Sequence, residues 1–418
     1  MDKNTRLVKF GCYGSNITMS IVGTLPALLF LTFRHLYDVS FSLLGMLVLV
    51  NYATQLSMDL LFSFFSHKFN IQKTVRLSPV LSIVGLLLFA AAPFLFPNTV
   101  YLGLLLGTVI FSAASGLNEV LLSPVIAALP SKNTEREVSK LHSMYAWGVV
   151  FVVVISTLFL LIFKSTRWYY LPILFTAVPL FSLVCFFSSH LPPLETPERA
   201  SGAVSMLKNK TLLLCVLAIF LGGASEVTMA QWCSSYLEQA LGIDKVWGDI
   251  FGAAAFAVTL GLGRSLYAKY GSNIEKILFF SGVGATVCYL VCVVSPLPIL
   301  GLIACALTGL CTAMMWPGSL VVCSSRVKTG GVFVFAMMAA GGDLGAAIGP
   351  QLVGVITDAV TAMPSATVWA EEVGLTLEQL SMKLGLSVGA IFPLLSIFVF
   401  LRIWRKKPKA DALPLSKN

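Results

Sequence analysis

The sequence predicts an all-α membrane protein with twelve transmembrane helices arranged as two parallel six-helix repeats. Three observations lead to this prediction: an apolar composition, a ladder of twelve long apolar stretches, and a one-sided distribution of lysine and arginine. Apolar residues make up 57% of the chain and charged residues 11%, whereas soluble domains carry about 25% charged residues. Because so few polar side chains cannot cover a water-facing surface, most of the surface is expected to face lipid.

The apolar stretches are long and continuous. Each can form a helix that crosses about 30 Å of hydrocarbon at about 1.5 Å per residue. Continuous runs of this length favour helices over the alternating ten-residue strands of a membrane barrel. The predicted spans are 9–33, 40–66, 74–96, 99–129, 139–163, 168–190, 211–241, 247–269, 274–295, 298–324, 329–358 and 383–404.

Lysine and arginine lie almost entirely on one side of this ladder. Of the 28 basic residues, 23 lie in the even-numbered connectors and the two terminal segments. The odd-numbered connectors hold the other five, which are Arg34, Lys164, Arg167, Lys245 and Lys383. Because basic residues near helix ends stay in the cytoplasm, both termini are predicted to be cytoplasmic and the number of helices to be even. The expected location is a bacterial inner membrane.

Composition and motifs also exclude several classes of protein. The chain contains no phosphate-binding loop, metal-ligand cluster or nucleophile motif, so neither an enzyme nor an ATP-driven pump is predicted. The nine cysteines lie almost all inside apolar spans and form no CxxC pair, which indicates free thiols. The net charge of +9 follows from the cytoplasmic connectors and requires no nucleic-acid partner. The expected partners are a small-molecule substrate and the lipid bilayer. The protein is expected to be a monomer. A proton is expected to be the coupling ion, and no cofactor is expected.

The chain divides near its midpoint. A proline-containing connector at 191–210 separates a predicted six-helix bundle at 1–190 from a second bundle with a cytoplasmic tail at 211–418. Short matches recur in the same order in both parts, which predicts parallel repeats related by an axis along the membrane normal. The matching positions are 15–19 with 225–229, 68–70 with 269–271, and Gly116 and Pro124 with Gly309 and Pro317.

This arrangement resembles the major facilitator superfamily. That family carries a motif of the form G-x-x-x-D-R-x-G-R after helices 2 and 8. Residues 263–271 read GRSLYAKYG, whereas the first copy at 63–70 reads SFFSHKFN and has His67 near the position expected for the acid. The resemblance implies the twelve-helix major facilitator fold.

Within that superfamily, the chain more closely resembles the fucose permease-like branch of sugar:proton symporters. The similarity rests on Gly116, Glu119 and Pro124 in helix 4 and on Glu226 and Trp232 in helix 7. The branch also has a carboxylate in helix 1, which this chain lacks. Its helix 1 offers the polar residues Asn16, Thr18 and Ser20 instead. The resemblance implies proton-coupled sugar transport.

Acidic residues inside the apolar spans are the main functional candidates. An ionisable side chain at the bilayer centre costs at least about 2.5 to 3.5 kcal/mol, so each invites a functional explanation. Glu119, Glu226 and Asp343 are predicted to carry the coupling proton, because the sequence places no basic residue at their depth. Asp59, near the inner end of helix 2, is predicted to brace the following connector against the neighbouring half. His142 is predicted to lie at the interface with water.

Amide and aromatic side chains inside the spans are the candidates for solute binding. Amides can bond the hydroxyl groups of a sugar, and an aromatic ring can cover its apolar face; the alternative for each residue is a packing role between helices. The predicted binding residues are Asn16, Gln55, Asn118, Trp147, Gln231, Trp232, Trp316 and Gln351. The predicted gating or structural residues are Asp59, His142, Arg264, Pro124 and Pro317, the two prolines acting as kinks in helices 4 and 10.

The sequence therefore predicts a secondary active transporter that moves a small neutral solute, with a sugar or polyol as the expected class, by proton-coupled alternating access. The alternative is a proton-driven exporter of lipophilic drugs or metabolites on the same fold. Methionine and phenylalanine are abundant in helices 10 and 11 and would suit a drug pocket. These residues are Met314, Met315, Phe333, Phe335, Met337 and Met338. The embedded acids disfavour a receptor or a non-transporting scaffold.

Overall fold

The computed structural model describes residues 2–65, 69–131, 134–192, 208–271, 273–327 and 331–405. Within these ranges the regular structure is helical, which confirms the predicted fold class. Eleven helices are long and apolar enough to cross a membrane, and a bent pair at the N-terminus makes a twelfth span. His67, most of the predicted connector (residues 193–207) and the C-terminal tail from residue 406 lie outside the described residues.

We number the helices by membrane span, so that a span with more than one helical piece keeps one number. The first six spans are α1 (Lys3–Leu28 and Phe30–Tyr37), α2 (Phe41–Phe65), α3 (Ile71–Leu95), α4 (Val100–Ala127), α5 (Thr134–Phe163) and α6 (Tyr170–Phe175 and Ala177–Phe187). The second six are α7 (Lys210–Gln239), α8 (Lys245–Trp247, Gly248–Ala254 and Ala255–Tyr270), α9 (Ile274–Val294), α10 (Pro298–Thr312 and Met315–Arg326), α11 (Gly331–Thr361) and α12 (Leu377–Gly389 and Ile391–Arg405). A short helix at Ala366–Glu372, which the sequence did not predict, lies between α11 and α12.

Asparagine side chains define where three of the spans begin. The side-chain oxygens of Asn70, Asn209 and Asn273 accept hydrogen bonds from backbone N–H groups in the first turns of α3, α7 and α9. Each such cap satisfies a donor that the helix itself leaves free, and typically stabilises the helix by about 1 kcal/mol. We call the end of the bundle at which α1 begins the inner end, and the opposite end the outer end.

Several spans are bent or interrupted. The two pieces of α1 meet at an angle of 46° just after Pro26. Helix α8 contains a π-helical segment, Gly248–Ala254, and α10 is interrupted at Ala313 and Met314. The kink predicted at Pro317 matches this interruption, whereas α4 continues as one helix through Pro124 to Ala127.

The glycines of α11 explain its close packing. A Cβ atom at Gly345 would collide with the backbone of Phe220, so α11 and α7 can approach until their main chains touch. Further along, Gly354 faces the start of α2 in the same way, at Phe41. Helix α11 therefore packs tightly against α7 in its own set of six helices and also contacts α2 in the other set.

At the outer end the first six spans contact the second six through polar and aromatic groups. The Asp358 carboxylate on α11 accepts hydrogen bonds from the backbone N–H groups of Phe41 (3.1 Å) and Ser42 (2.6 Å) at the start of α2. Thr157 of α5 donates to Oδ2 of the buried Asp249 on α8 at 2.9 Å. These contacts close the outer end of the space between the two sets.

Candidate functional site

A cavity lies between the two sets of helices, inward of the outer contacts. Its walls come from α1, α2 and α5 of the first set and from α7 and α8 of the second. Most of its lining is small or apolar. The polar lining groups are Thr24, Tyr52, Tyr145, Glu226, Gln231 and Ser234.

Three carboxyl groups from three helices meet between the two sets of helices. Oxygen atoms of Asp59 (α2), Glu119 (α4) and Asp343 (α11) all lie within 4.8 Å of one another. Asp59 and Asp343 are buried, with 4% and 2% of their surfaces exposed, while Glu119 is exposed. We call these residues the carboxyl triad. It joins the first six helices, which supply two members, to the second six, which supply the third.

Full ionisation of the triad is unfavourable. Two unit charges 4.8 Å apart repel by about 3.5 kcal/mol at an effective dielectric constant of 20. Both carboxyl oxygens of Asp59 and Oδ2 of Asp343 also lack a hydrogen-bond donor among the described residues. A proton on one carboxyl group would supply a donor to its neighbour and remove one of the charges. The geometry therefore favours a state in which the triad holds protons. A small cation would be attracted to the same oxygens.

Gly116 explains how the triad can assemble. A Cβ atom at this position would lie 2.8 Å from Cβ of Met58 and 2.9 Å from the backbone oxygen of Gln55, so any larger residue would push α4 away from α2. Gly116 is about one helical turn from Glu119, and Met58 is adjacent to Asp59. The small residue in α4 thus sets the distance between two of the three carboxyl groups. Asp59 thus lies beside two other acids at a helix crossing, and the connector that it is predicted to brace lies outside the described residues at 66–68.

The fourth embedded acid, Glu226, forms an ion pair. Nη2 of Arg264 lies 3.1 Å and 3.3 Å from the two carboxylate oxygens of Glu226. The sequence-based prediction that no basic residue reaches the depth of Glu226 is therefore wrong. Arg264 is six residues before the inner end of α8, or about 9 Å by helical rise, and its long side chain reaches the carboxylate. Glu226 is 13% exposed and Arg264 is 38% exposed.

Pro317 supplies part of the geometry of this ion pair. Proline has no backbone N–H, so it cannot donate to the carbonyl oxygen four residues earlier, which belongs to Ala313. That oxygen instead accepts a hydrogen bond from Nε of Arg264 at 3.2 Å. The interruption in α10 thus holds the guanidinium group of α8 in place against α7.

Tyr52 and Tyr145 link the triad to the ion pair. Both line the cavity. Tyr52 interacts electrostatically with Asp343, Glu226 and Glu119, and Tyr145 with Glu226, Arg264 and Glu119. Sequence analysis did not single out either tyrosine. Tyr52 lies seven residues before Asp59, which is two helical turns along the same face of α2, and this spacing could have identified it.

Of the residues predicted to bind the solute, only Gln231 lines the cavity. Its Nε2 donates to the backbone oxygen of Gly23 on α1 at 2.9 Å, so it also joins the two sets of helices. Trp232, by contrast, is fully buried in the outer contact. Its ring centroid lies 5.1 Å from that of Phe30, and Nε1 donates to the backbone oxygen of Pro350. Trp232 is therefore a packing residue of the closed outer end.

Two of the predicted amides bond to other polar side chains inside the first set of helices. Oδ1 of Asn118 accepts from Oγ of Ser78 at 2.6 Å, and Nε2 of Gln55 donates to Oδ1 of Asn51 at 2.8 Å. Their positions correspond to the packing alternative. Oδ1 of the buried Asn16 has no donor among the described residues.

The remaining predicted binding residues also lie away from the cavity wall. Trp147 is 66% exposed and lies on one stripe of α5 with the exposed residues Phe151, Val154 and Leu158, which is the spacing of a lipid-facing helix side. The ring of Trp316 packs on Gly223 and Gly342, and Gln351 lies against Gly45 of α2. None of the three lines the cavity described above, and their part in solute binding stays a prediction.

His142 lies near the inner end of α5. It is exposed, and Nε2 lies 3.2 Å from Oγ of Ser123 on α4, which fits the predicted position at the interface with water. It also lies close enough to Arg264 to interact electrostatically across the two sets of helices.

The family follows from a comparison with known proteins. A model of the Major Facilitator Superfamily matches residues 12–350. The chain belongs to the major facilitator superfamily and is a multi-pass membrane transporter, not an enzyme. The resemblance noted from the sequence is thereby confirmed.

Solved structures agree with this assignment at the level of the fold. A bacterial homologue of the human lysosomal transporter Spinster, in an inward-facing and occupied conformation, has a TM-score of 0.74 at 11% identity, covering 97% of this chain and 98% of that one. A D-xylose-proton symporter has a TM-score of 0.72 at 15% identity, covering 98% and 99%. A single-residue variant of the E. coli fucose:proton symporter FucP has a TM-score of 0.57 at 16% identity, covering 93% and 98%. No curated protein sequence matches the chain.

Proposed function

We propose that this transporter moves a small neutral solute, with a sugar or polyol as the expected class, by proton-coupled alternating access. The observation that carries the proposal is the carboxyl triad, because its members come from both sets of helices. Two of the similar structures are those of a D-xylose-proton symporter and a fucose:proton symporter, which supports the same class of solute.

The physical argument links proton binding to the movement of the helices. While α2, α4 and α11 are together, repulsion of about 3.5 kcal/mol for each pair of charges opposes full ionisation. If the two sets separate there, Asp343 moves away from Asp59 and Glu119, the repulsion falls, and water can solvate the carboxylates. The assembled state therefore binds protons more tightly than the separated state. By reciprocity, protonation favours the assembled state.

The exposure of Glu119 gives the triad a route to solvent. The outer end is closed by the contacts of Asp358 and Asp249, while Glu119 is the exposed member of the triad. A proton released in this conformation would leave toward the inner end, which the distribution of basic residues assigns to the cytoplasm. A proton moving inward across 100 mV supplies about 2.3 kcal/mol, and each pH unit adds about 1.4 kcal/mol. A neutral solute could then be concentrated by roughly 50-fold for each 100 mV.

The test is transport into proteoliposomes with and without an imposed pH gradient. Asp59→Asn, Glu119→Gln and Asp343→Asn should each abolish accumulation driven by the gradient and leave solute counterflow, which needs no net proton movement, within about two-fold of wild type. Glu371→Gln is the matched control, because Glu371 is an exposed acid in the outer connector. Gradient-driven accumulation that survives in all three variants would contradict the proposal. Accumulation that follows a sodium gradient would show that a sodium ion, and not a proton, binds at the same oxygens and drives transport.

The exporter of lipophilic compounds remains the second candidate. The apolar majority of the cavity lining favours it. The methionines that motivated it do not, because Met315 and Met338 are fully buried in the core of the second set of helices. Proton-driven extrusion of a lipophilic cation, with no counterflow of any polyol, would establish the exporter.

A further inference from the structure

We propose that Glu226 and Arg264 together recognise two hydroxyl groups on adjacent carbon atoms of the solute, and that Glu226 does not carry the coupling proton. The inference deepens the proposed function, on which it rests for the class of solute. It changes the role of Glu226, which the sequence alone groups with the proton-binding acids.

The ion pair presents an acceptor beside a donor at the cavity. Glu226 belongs to the cavity wall. Arg264 follows Leu260 by four residues on α8, so it continues the same lining stripe toward the inner end. Its Nε bonds to Ala313 and its Nη2 to Glu226, which leaves other N–H groups of a side chain that is 38% exposed. The carboxylate likewise has lone pairs that one Nη2 atom does not fill.

A pair of neighbouring hydroxyl groups matches this arrangement. One hydroxyl can donate to the carboxylate of Glu226, while its neighbour accepts from the guanidinium of Arg264. Both bonds involve a charged partner, so each is stronger than a bond between neutral groups. A carboxylate or phosphate on the solute would face Glu226 and the nearby triad, and an ammonium group would face Arg264. The charges of the site thus favour a neutral solute.

The arginine also explains why Glu226 is a poor proton carrier. Arg264 is held from two sides, by the carbonyl that Pro317 leaves free and by Glu226 itself. A fixed guanidinium at 3.1 Å stabilises the ionised carboxylate at every step in which the pair stays intact. The triad differs, because its carboxyl groups face one another and gain from a shared proton.

The opposite parts of the cavity suit the apolar face of the same solute. Tyr52 and Tyr145 come from the first set of helices, and Phe256 comes from the second. Alanines at positions such as Ala230 and Ala257 leave space between these rings. A compact ring with an adjacent pair of hydroxyls would contact the aromatic groups with one side and the ion pair with its edge.

The experiment compares pairs of neutral probes that differ by one hydroxyl group, so that the second member has no adjacent pair of hydroxyls: methyl β-D-ribofuranoside with methyl 2-deoxy-β-D-ribofuranoside, cyclohexane-1,2-diol with cyclohexanol, and uridine with 2′-deoxyuridine. Equilibrium counterflow in proteoliposomes at equal pH on both sides measures KM without any contribution from proton coupling. In wild type, at least one complete diol should have a KM at least about ten-fold lower than its deoxy partner. A ten-fold difference corresponds to about 1.4 kcal/mol.

Glu226→Gln should raise the KM of that diol about ten-fold and leave the KM of the deoxy partner nearly unchanged. Arg264→Lys should act in the same way, because a lysine cannot bond Ala313 and Glu226 through a planar fork. At saturating diol, Glu226→Gln should still accumulate solute in response to a pH gradient. Thermal unfolding of both variants in detergent shows whether a loss reflects misfolding, and the conservative Gln variant keeps the shape of the site.

Three results would overturn the inference. The first is the absence of counterflow for every probe in wild type. The second is equal KM values within all the diol and deoxy pairs. The third is a Glu226→Gln variant that loses gradient-driven accumulation with an unchanged KM, since Glu226 would then be the proton carrier. A failure of the proposed proton coupling can be distinguished from a failure of diol recognition. Coupling is measured under a pH gradient with the Asp59 and Asp343 variants, whereas recognition is measured by counterflow at equal pH.

Discussion

Replacing Asp358 with asparagine is expected to open the outer end of the transporter more often. The Asp358 carboxylate on α11 bonds the first two N–H groups of α2, at 3.1 Å from Phe41 N and 2.6 Å from Ser42 N. These donors have no partner inside α2, and the start of a helix carries a partial positive charge. The contact joins the two sets of helices, so it must break when they separate at that end.

The size of the effect follows from these two bonds. A hydrogen bond to a charged group contributes about 1.5 to 3 kcal/mol, and the interaction of a charge with a helix end about 0.3 to 1 kcal/mol. Asparagine keeps one carbonyl oxygen and loses the charge, so it should weaken the closed state by about 1 to 2 kcal/mol. That change multiplies the ratio of outward-open to outward-closed molecules by about 5 to 30.

Thiol labelling can measure this ratio. Eight of the nine native cysteines are buried, and only Cys311 is partly exposed. A cysteine at Ala230, which lines the cavity, in a Cys311→Ser background should react with a membrane-impermeant maleimide added from the outer side. The Asp358→Asn change should raise the labelling rate about 5- to 30-fold.

Asp244→Asn is the matched control, because Asp244 is an exposed acid at the start of α8 whose side chain caps no N–H group. Equal labelling rates in the Asp358 and Asp244 variants would refute the conclusion that the Asp358 carboxylate stabilises the closed outer end. A lower rate in the Asp358 variant would show that the bond instead favours the outward-open state.

Three further outcomes are expected. Gly116→Ala should force α2 and α4 apart, destabilise the protein by about 1 to 3 kcal/mol and weaken proton-driven accumulation more than counterflow, since the triad lies beside this crossing. Trp232→Ala should cost about 3 to 5 kcal/mol in unfolding free energy and Trp232→Phe about 1 kcal/mol, because the second change removes little more than the bond to Pro350. Lys9 and Lys140 lower the pKa of Glu137 to about 2. The contribution of these ion pairs to the stability of the fold should therefore be complete above about pH 4.5 and decline as the pH falls toward 2. Glu137→Gln should accordingly lower the melting temperature near pH 7 and have little effect near pH 2, and an equal loss at both values would contradict the ion pair.

The helices could be predicted because their cause is local. Each apolar stretch specifies a span without reference to its neighbours, and the asparagine caps at α3, α7 and α9 mark the starts within a few residues. The exposed position of Trp147 also has a local cause, because the exposed residues of α5 recur at helical spacing. The same spacing in the sequence favours a lipid-facing position for Trp147.

The contacts between helices could not be predicted in the same way. Asp59 and Asp343 lie in opposite halves of the sequence, and no property of either helix alone specifies the crossing at which they meet. The pairing of Glu226 with Arg264 was missed for a different reason. Sequence position gives the depth of the backbone along the helix axis, whereas an arginine side chain spans more than one helical turn. The role of Pro317 was accessible in principle, because a proline always frees the carbonyl four residues before it.

The π-helical segment near the start of α8 affects how side chains on either side of it are oriented around the helix axis. A π-turn holds one more residue than an α-turn, so the wider turn of Gly248–Ala254 absorbs an extra residue. Removing one residue there would return the segment to α-helical pitch and leave the helix before it nearly in phase with the helix after it. Asp249 lies on the outer side of that point and Arg264 on the inner side. A single-residue deletion within Gly248–Ala254 should therefore nearly preserve the relative direction of these two residues, whereas a deletion between Ala255 and Arg264 would turn them apart by about 100°. The π-helical segment is therefore the part of α8 that can lose a residue without turning the ion pair away from the contacts of the closed outer end.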